Sequence, residues 1–348
     1  MRRITIILIF MLAVINQLFC QTDKLELSLF AESNYQWTGI AISKNDRVFV
    51  NFPRWTTDTP VSVAEIIDGV IVPYPNKDWN NWDAGSITKN KFVCVQSVFI
   101  DDLNRLWVLD PGYELASDKT KAAHIYIFNL DDNSLTREYF IPSDQISENS
   151  YLNDLRIDNQ LGVAYISDSN IGGIIILDLQ TGNVRRVLSN HPSTLSEVKQ
   201  IVIEGYTRNH PVQSDGIALD PDKRYLYYCA LMGENVYRVP TKTLLNLKLT
   251  GLQLGGFVEK FARTGANDGI IFDKNGNLYL TSLEKNAISI ADKNGVVSEL
   301  IADEKIKWPD SFAWDSKGNL FFTTSQIHLP KEKRSTYKIF KVKLNKGM

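Results

Sequence analysis

The chain is built from short apolar runs. Each ends in Asp or Ser, passes through a few residues drawn mainly from Asn, Asp, Gly and Lys, and resumes as a run of aromatic and β-branched residues. The unit recurs six times: 39–43 then 47–51, 97–101 then 105–110, 154–158 then 163–168, 216–220 then 225–230, 269–273 then 277–282, and 311–315 then 319–324. Two β-forming runs joined by such residues predict a hairpin. Six hairpins at spacings of about 40 to 60 residues have the period of a propeller, whose blades are four-stranded sheets around a central channel. Third strands are predicted at 124–130, 173–179, 235–239, 287–291 and 337–344. The sixth repeat stops at its third strand, and the segment 25–30, apolar at alternate positions, is predicted to supply the fourth. The predicted fold is all-β, a six-bladed β-propeller closed by an N-terminal strand completing the C-terminal blade.

Two stretches depart from the pattern. Residues 241–249, after Pro240, carry leucines at helical spacing, and 189–214, with His191-Pro192 and His210-Pro211, read as an insertion lying over one face. No linker-like composition separates the repeats, so 21–348 is read as a single propeller domain. Ahead of it, Arg2 and Arg3, the apolar run 4–15 and a short polar break before Phe19-Cys20-Gln21 have the layout of a secretory signal peptide, residues 1–20. The apolar run is too short to span a bilayer, so the mature chain is predicted to carry no integral membrane segment and to be secreted, extracellular or periplasmic. Cys20 leaves open acylation as in a bacterial lipoprotein, against which Leu18 and Phe19 stand where small residues are expected. Cys94 and Cys229 remain, in different repeats, as two buried thiols or one bridge.

Composition removes several function classes. Of 348 residues 44% are hydrophobic, which excludes a disordered or fibrous chain. Lys and Arg number 38 against 40 Asp and Glu, so there is no basic excess for binding nucleic acid, and any electrostatic selectivity is local. A Gly-rich phosphate loop, Cys-x-x-Cys and His-Glu-x-x-His are all absent, which argues against phosphoryl transfer and zinc hydrolysis. The four histidines, at 124, 191, 210 and 328, form no Ser-His-Asp or Cys-His pattern by spacing.

The chemistry gathers one residue before each innermost strand. Aligning the repeats places Thr38, Gln96, Asn153, Asp215, Asp268 and Asp310 at equivalent positions, where the inner strands of a propeller open on one mouth. All six are polar and three are carboxylic acids, a set suited to a cation or a hydrogen-bonding small-molecule ligand. The competing expectation is that some of them bond neighbouring backbone where the inner strands crowd. Close acids repel, so at least one is expected to titrate high in the empty site, and a bound amine or Ca²⁺ would relieve the repulsion. Calcium takes six to eight oxygens, of which Gln96, Asn153, Asp215 and Asp268 offer four. Trp37, Trp55, Tyr113 and Trp308 are candidates for cation–π contact, or else for packing between blades. Asp110, Asp168 and Ser325, at second-strand ends, and His328 are candidates for the rim.

At this point a family resemblance emerges. The segments Arg47-Val48-Phe49-Val50-Asn51-Phe52-Pro53-Arg54-Trp55, Val95-Gln96-Ser97-Val98 with Arg105-Leu106-Trp107-Val108-Leu109-Asp110, Leu152-Asn153-Asp154-Leu155, and Trp308-Pro309-Asp310-Ser311-Phe312 resemble the yellow and major royal jelly protein family, in order from about residue 47 to residue 328. The resemblance implies a secreted six-bladed propeller without fixing one activity, since members include pigmentation proteins, salivary binders of biogenic amines and royal jelly nutrients. In the amine binders it implies a ligand in the axial cavity, at motifs that match Ser311 and Thr324-Ser325-Gln326 here. Ser325 stands where the family has Asn, and Gln326 where it has Arg, which puts transfer of the same amine specificity in doubt.

A more distant resemblance is to calcium-dependent gluconolactonase-like propellers, through Asn153-Asp154 and Asp215-Gly216. It implies a metal on Asn153 and Asp215, with Thr38 in place of a metal-binding Glu, while Asp268 and Asp310 add acids from other blades. Three readings follow: a small cationic or aromatic molecule bound in an acidic axial cavity, a Ca²⁺-dependent lactonase or related hydrolase, and a protein-interaction platform on the rim.

Overall fold

The computed structural model describes residues 25–56, 58–83, 89–112 and 122–344. The segment read as a signal peptide, with Cys20, and Tyr113 lie outside the described residues. Six four-stranded antiparallel sheets form a six-bladed β-propeller. In the first five the strands run outward in chain order, from Ile40–Ile42, Ser97–Ile100, Leu152–Asp158, Ser214–Leu219 and Asn267–Phe272 at the axis. In the sixth, Pro309–Trp314, Leu320–Thr324 and Tyr337–Val342 are followed by Leu27–Ser33, with Leu27 opposite Val342 and Ser33 opposite Tyr337.

The turn chemistry explains why the repeat is legible. Asp101 Oδ1 accepts from the backbone N–H groups of Leu103 and Arg105, Asp273 Oδ1 from Asn275 and Asn277, and Asp315 Oδ1 from Lys317 and Asn319. Ser43 Oγ takes the same role toward Asn45 and Arg47. The third residue after each of these caps has positive φ and is Asp46, Asn104, Gly276 or Gly318, residue types that tolerate the left-handed region.

Each blade is too thin to enclose a core of its own, and the apolar faces meet between blades. Five clusters join consecutive sheets, and a sixth, containing Trp37, Val50, Phe321 and Ile339, joins the last sheet to the first. Trp37 is therefore core, packed on Phe52 with ring centroids 5.9 Å apart, and not a wall of the mouth. Cys94 and Cys229 are both buried, in different parts of the ring.

Near the axis the innermost strands pack side by side. Four of them carry a register irregularity at the ring position, between Leu152 and Leu155, Ser214 and Ile217, Asn267 and Ile270, and Pro309 and Phe312. A bulge there re-aims the side chain that precedes the regular strand. The crowding also accounts for the Asp-Gly pairs: a Cβ on Gly216 would overlap the Asp268 carbonyl oxygen, and one on Gly269 the Asp310 carbonyl oxygen. Backbone cannot swing aside as a flexible side chain can, so Gly269→Ala is expected to cost about 1–3 kcal/mol in chemical denaturation. Gly251→Ala, where nothing lies within 4 Å, is expected to cost nothing. An unchanged midpoint for Gly269→Ala would contradict this packing.

The predicted helix over 241–249 is shorter than the leucine spacing suggests. It spans Thr241–Leu244, and a second helix, Gly251–Gly255, begins at a capping box made by Thr250 and Gln253. The insertion is also not plain loop, because Ile201–Ile203 pairs with Tyr206–Arg208 as a small hairpin. Among the described residues no helix is long and apolar enough to cross a membrane.

Candidate functional site

Thr38, Gln96, Asn153, Asp215, Asp268 and Asp310 all line one cavity of about 320 Å³. Its walls include Trp55, Tyr151, Arg208, His210 and Trp308. The six ring residues divide into a hydrogen-bonded neutral half and an acidic half.

In the neutral half the side chains are engaged with one another. Trp55 Nε1 donates to Tyr151 Oη (3.1 Å), Tyr151 Oη donates to Gln96 Oε1 (2.6 Å), and Gln96 Nε2 donates to Asn153 Oδ1 (2.9 Å). Thr38 follows the competing expectation: its hydroxyl donates to the Gln96 carbonyl (3.2 Å) and accepts from Asn51 Nδ2 (2.9 Å), tying the first blade to the second.

The acidic half is deeply buried, with Asp215, Asp268 and Asp310 only 4%, 8% and 5% exposed. Burial is the main cause that holds all three carboxyls above the ordinary range. For Asp215 the charges of Asp268, Asp310 and Asp154 add to the rise, as does a hydrogen bond with the Asp268 carboxyl. Asp268 is pushed up to about 7, although the Trp308 indole N–H bonded to its Oδ2 (2.7 Å) and the Arg208 charge oppose the rise. Asp310 is raised by burial and by Asp268, against the hydroxyls of Ser325 and Ser311.

Ser311 and Ser325 stand behind this wall. The Ser311 hydroxyl donates to Asp310 Oδ1 (3.1 Å), and the fully buried Ser325 hydroxyl lies close enough to lower Asp310 while making no hydrogen bond of normal geometry. Neither lines the cavity, and Asp310 stands between them and it. Asp110 and Asp168 do not reach the rim: Asp110 accepts from the N–H groups of Val93, Cys94 and Gly112, and Asp168 is bonded to Arg186 and to the N–H groups of Tyr151, Asn170 and Ile171. His328 is buried too, stacked on Trp308 (centroids 5.9 Å, planes 11° apart) with Nε2 2.8 Å from Glu204 Oε2.

Arg208 escapes the repeat analysis. It stands at the end of the insertion's hairpin, in a segment with no counterpart in the other blades, so alignment of repeats cannot find it. Its guanidinium lies over the Trp308 ring, 5.5 Å from the centroid, inside the cavity that holds the acids. Burial lowers its pKa, and the charges of Asp268 and Asp215 oppose that shift. The cavity is thus acidic on one side and carries one cation on another.

As it stands, this arrangement is not an assembled Ca²⁺ site. Among the described residues no group of three or more His, Cys, Asp or Glu side chains is disposed to hold a metal. Of the four residues expected to serve, Gln96 Oε1 accepts from Tyr151, Asn153 Oδ1 from Gln96 and Asp268 Oδ2 from Trp308, and burial holds the Asp215 carboxyl well above the ordinary range. Arg208 adds a like charge in the same space.

Residues 93–344 match the family model described as Major royal jelly protein. The chain belongs to the major royal jelly protein family. Five of the six ring residues of this family member, from Gln96 to Asp310, fall inside the matched region, and Thr38 precedes it. Among curated relatives, Major royal jelly protein 7 of Apis mellifera is 25% identical over 58% of the chain and 48% of its own length. Major royal jelly protein 2 of Apis mellifera is 24% identical over 75% of the chain and 63% of its own length, and Protein yellow of Drosophila guanche is 29% identical over 32% and 21%. The chain thus spans between about a fifth and two thirds of these relatives. Among solved structures, a gluconolactonase from Xanthomonas campestris superposes with a TM-score of 0.58 at 12% identity, covering 91% of the chain and 89% of its own. A calcium-binding protein, regucalcin, from Agrobacterium tumefaciens superposes with a TM-score of 0.54 at 13% identity, covering 90% and 95%. At these identities the likeness is one of fold.

Proposed function

We propose that the axial cavity of this major royal jelly protein family member binds a small molecule that carries an amine and an aromatic group. The observation that carries this reading is the convergence of Asp215, Asp268 and Asp310 on one cavity walled by Trp55 and Trp308. Without a cation, burial and mutual repulsion keep protons on these carboxyls. An incoming ammonium takes the place of those protons and restores ionised acceptors for its own N–H groups, each such bond contributing about 1.5–3 kcal/mol. The exposed Trp55 indole adds dispersion and cation–π attraction. A volume near 320 Å³ lies at the small end of ligand pockets and suits one ring with a short side chain.

Equilibrium dialysis against aromatic amines tests this. Wild-type protein is expected to retain an aromatic amine, and Asp215→Asn, which removes an ionisable acceptor without changing shape, is expected to weaken retention at least tenfold. Unchanged retention by that variant would place the ligand elsewhere, on the rim. The layout of residues 1–20 supports secretion of the mature chain, and an intact mass beginning at Gln21 checks it.

A further inference from the structure

The cavity holds a charged group that an amine alone would leave unanswered. Arg208 Nε is buried without a partner, and none of the Arg208 guanidinium nitrogens makes a hydrogen bond among the described residues. The group feels Asp268 and Asp215 electrostatically, yet among the described residues no N···O separation between Arg208 and a carboxylate falls within ion-pair distance. The reason is visible in the packing. The guanidinium is held over the Trp308 ring, while the Trp308 indole N–H fixes Asp268. One cation and three carboxyls therefore face one cavity without closing on each other.

Charge and hydrogen-bond capacity then restrict the occupant. A simple ammonium would satisfy the acids and leave Arg208, itself a like charge, with unanswered donors. A simple carboxylate would satisfy Arg208 and face three acids. A ligand with both groups answers both sides and brings no net charge into a buried site. The planar fork of a guanidinium matches a carboxylate in two parallel hydrogen bonds.

Building on the amine-binding reading, we infer that the ligand is zwitterionic, an aromatic amino acid or a molecule of that chemistry, with its carboxylate on Arg208 and its ammonium on the Asp215–Asp268–Asp310 wall. The insertion that carries Arg208 is then the specificity element of the propeller. A site built to pair a polar group discriminates strongly against the analogue that lacks it, because its own group is left unpaired.

Calorimetric titration of the full mature protein at neutral pH with matched probes tests the inference. The probes are phenylalanine, phenethylamine and 3-phenylpropanoate, together with tryptophan, tryptamine and indole-3-propionate. The wild-type protein is expected to bind one amino acid at least tenfold more tightly than either of its single-charge analogues. In Arg208→Gln the advantage over the amine should vanish while affinity for the amine holds or improves, and Arg208→Lys, which keeps charge without the fork, should fall between. An amine that binds wild type as tightly as its amino acid would overturn the zwitterion inference and leave the amine-binding reading standing. Binding of none of the six probes would sink both. The wild-type comparison needs no substitution, so it decides the matter even if a variant misfolds.

Discussion

Replacing Trp308 by alanine is expected to remove about 3–5 kcal/mol of stability, the usual loss when a fully buried tryptophan is truncated, and to abolish ligand binding. The residue joins three functions in one side chain. Its ring packs on His328 at 5.9 Å and supports the Arg208 guanidinium at 5.5 Å, and its N–H holds Asp268 at 2.7 Å. Trp308→Phe separates these roles. It keeps an aromatic platform and deletes the N–H, so it should cost less in denaturation while letting Asp268 rise further, since the bond that favours its charged form is gone. Denaturation midpoints of the two variants at pH 5 and pH 8 check this: the Phe variant should lose more relative to wild type at pH 8. An equal loss at both values would mean that the indole N–H does not steer the acid.

The second large effect is one of pH. A carboxyl whose folded pKa lies above its unfolded value favours the folded state fully at low pH, and that advantage is lost as pH rises through the folded pKa. Asp268 moves from an ordinary value of 3.8 to about 7, so the unliganded protein should lose stability from about pH 4 to about pH 7. At about 1.36 kcal/mol per tenfold change in proton affinity, Asp268 accounts for up to about 4 kcal/mol of that fall. Asp268→Asn imitates the neutral acid: it carries no charge, and its amide oxygen can still accept from Trp308. The variant should be more stable than wild type at pH 8 by a few kcal/mol, and the difference should shrink to nothing by pH 4. Melting temperatures across that range read it directly, and parallel curves for the two proteins would contradict the buried-acid account.

These expectations rest on features that the sequence exposes unequally. The blades were legible because the same turn problem is solved alike in four of them: an Asp or Ser whose side chain caps backbone N–H groups, followed by a residue that tolerates positive φ, leaves a pattern any repeat alignment catches. The ring positions were legible for the same reason, since each precedes a recurring apolar strand. What repetition does not encode was missed. Arg208 lies in an insertion present once, so no alignment of repeats points to it. The burial of His328 and the stacking of Trp308 depend on side chains that meet across blades. Residue types at the ring left Ca²⁺ open as a rival occupant because they count oxygens. They do not reveal that Gln96, Asn153 and Asp268 are already bonded to Tyr151, Gln96 and Trp308. Trp37 and Trp55 look alike in sequence, and only packing assigns the first to the core and the second to the cavity.

The central claim is that a cation displaces protons from the acids of the axial cavity. Calorimetric titration of the mature protein at pH 6, with the tightest-binding aromatic amine or amino acid, in two buffers of different ionisation enthalpy measures this directly. The account predicts net release of protons on binding, and release that falls markedly in Asp215→Asn and Asp268→Asn. Binding with the same heat in both buffers, or proton release unaltered by those substitutions, would contradict it.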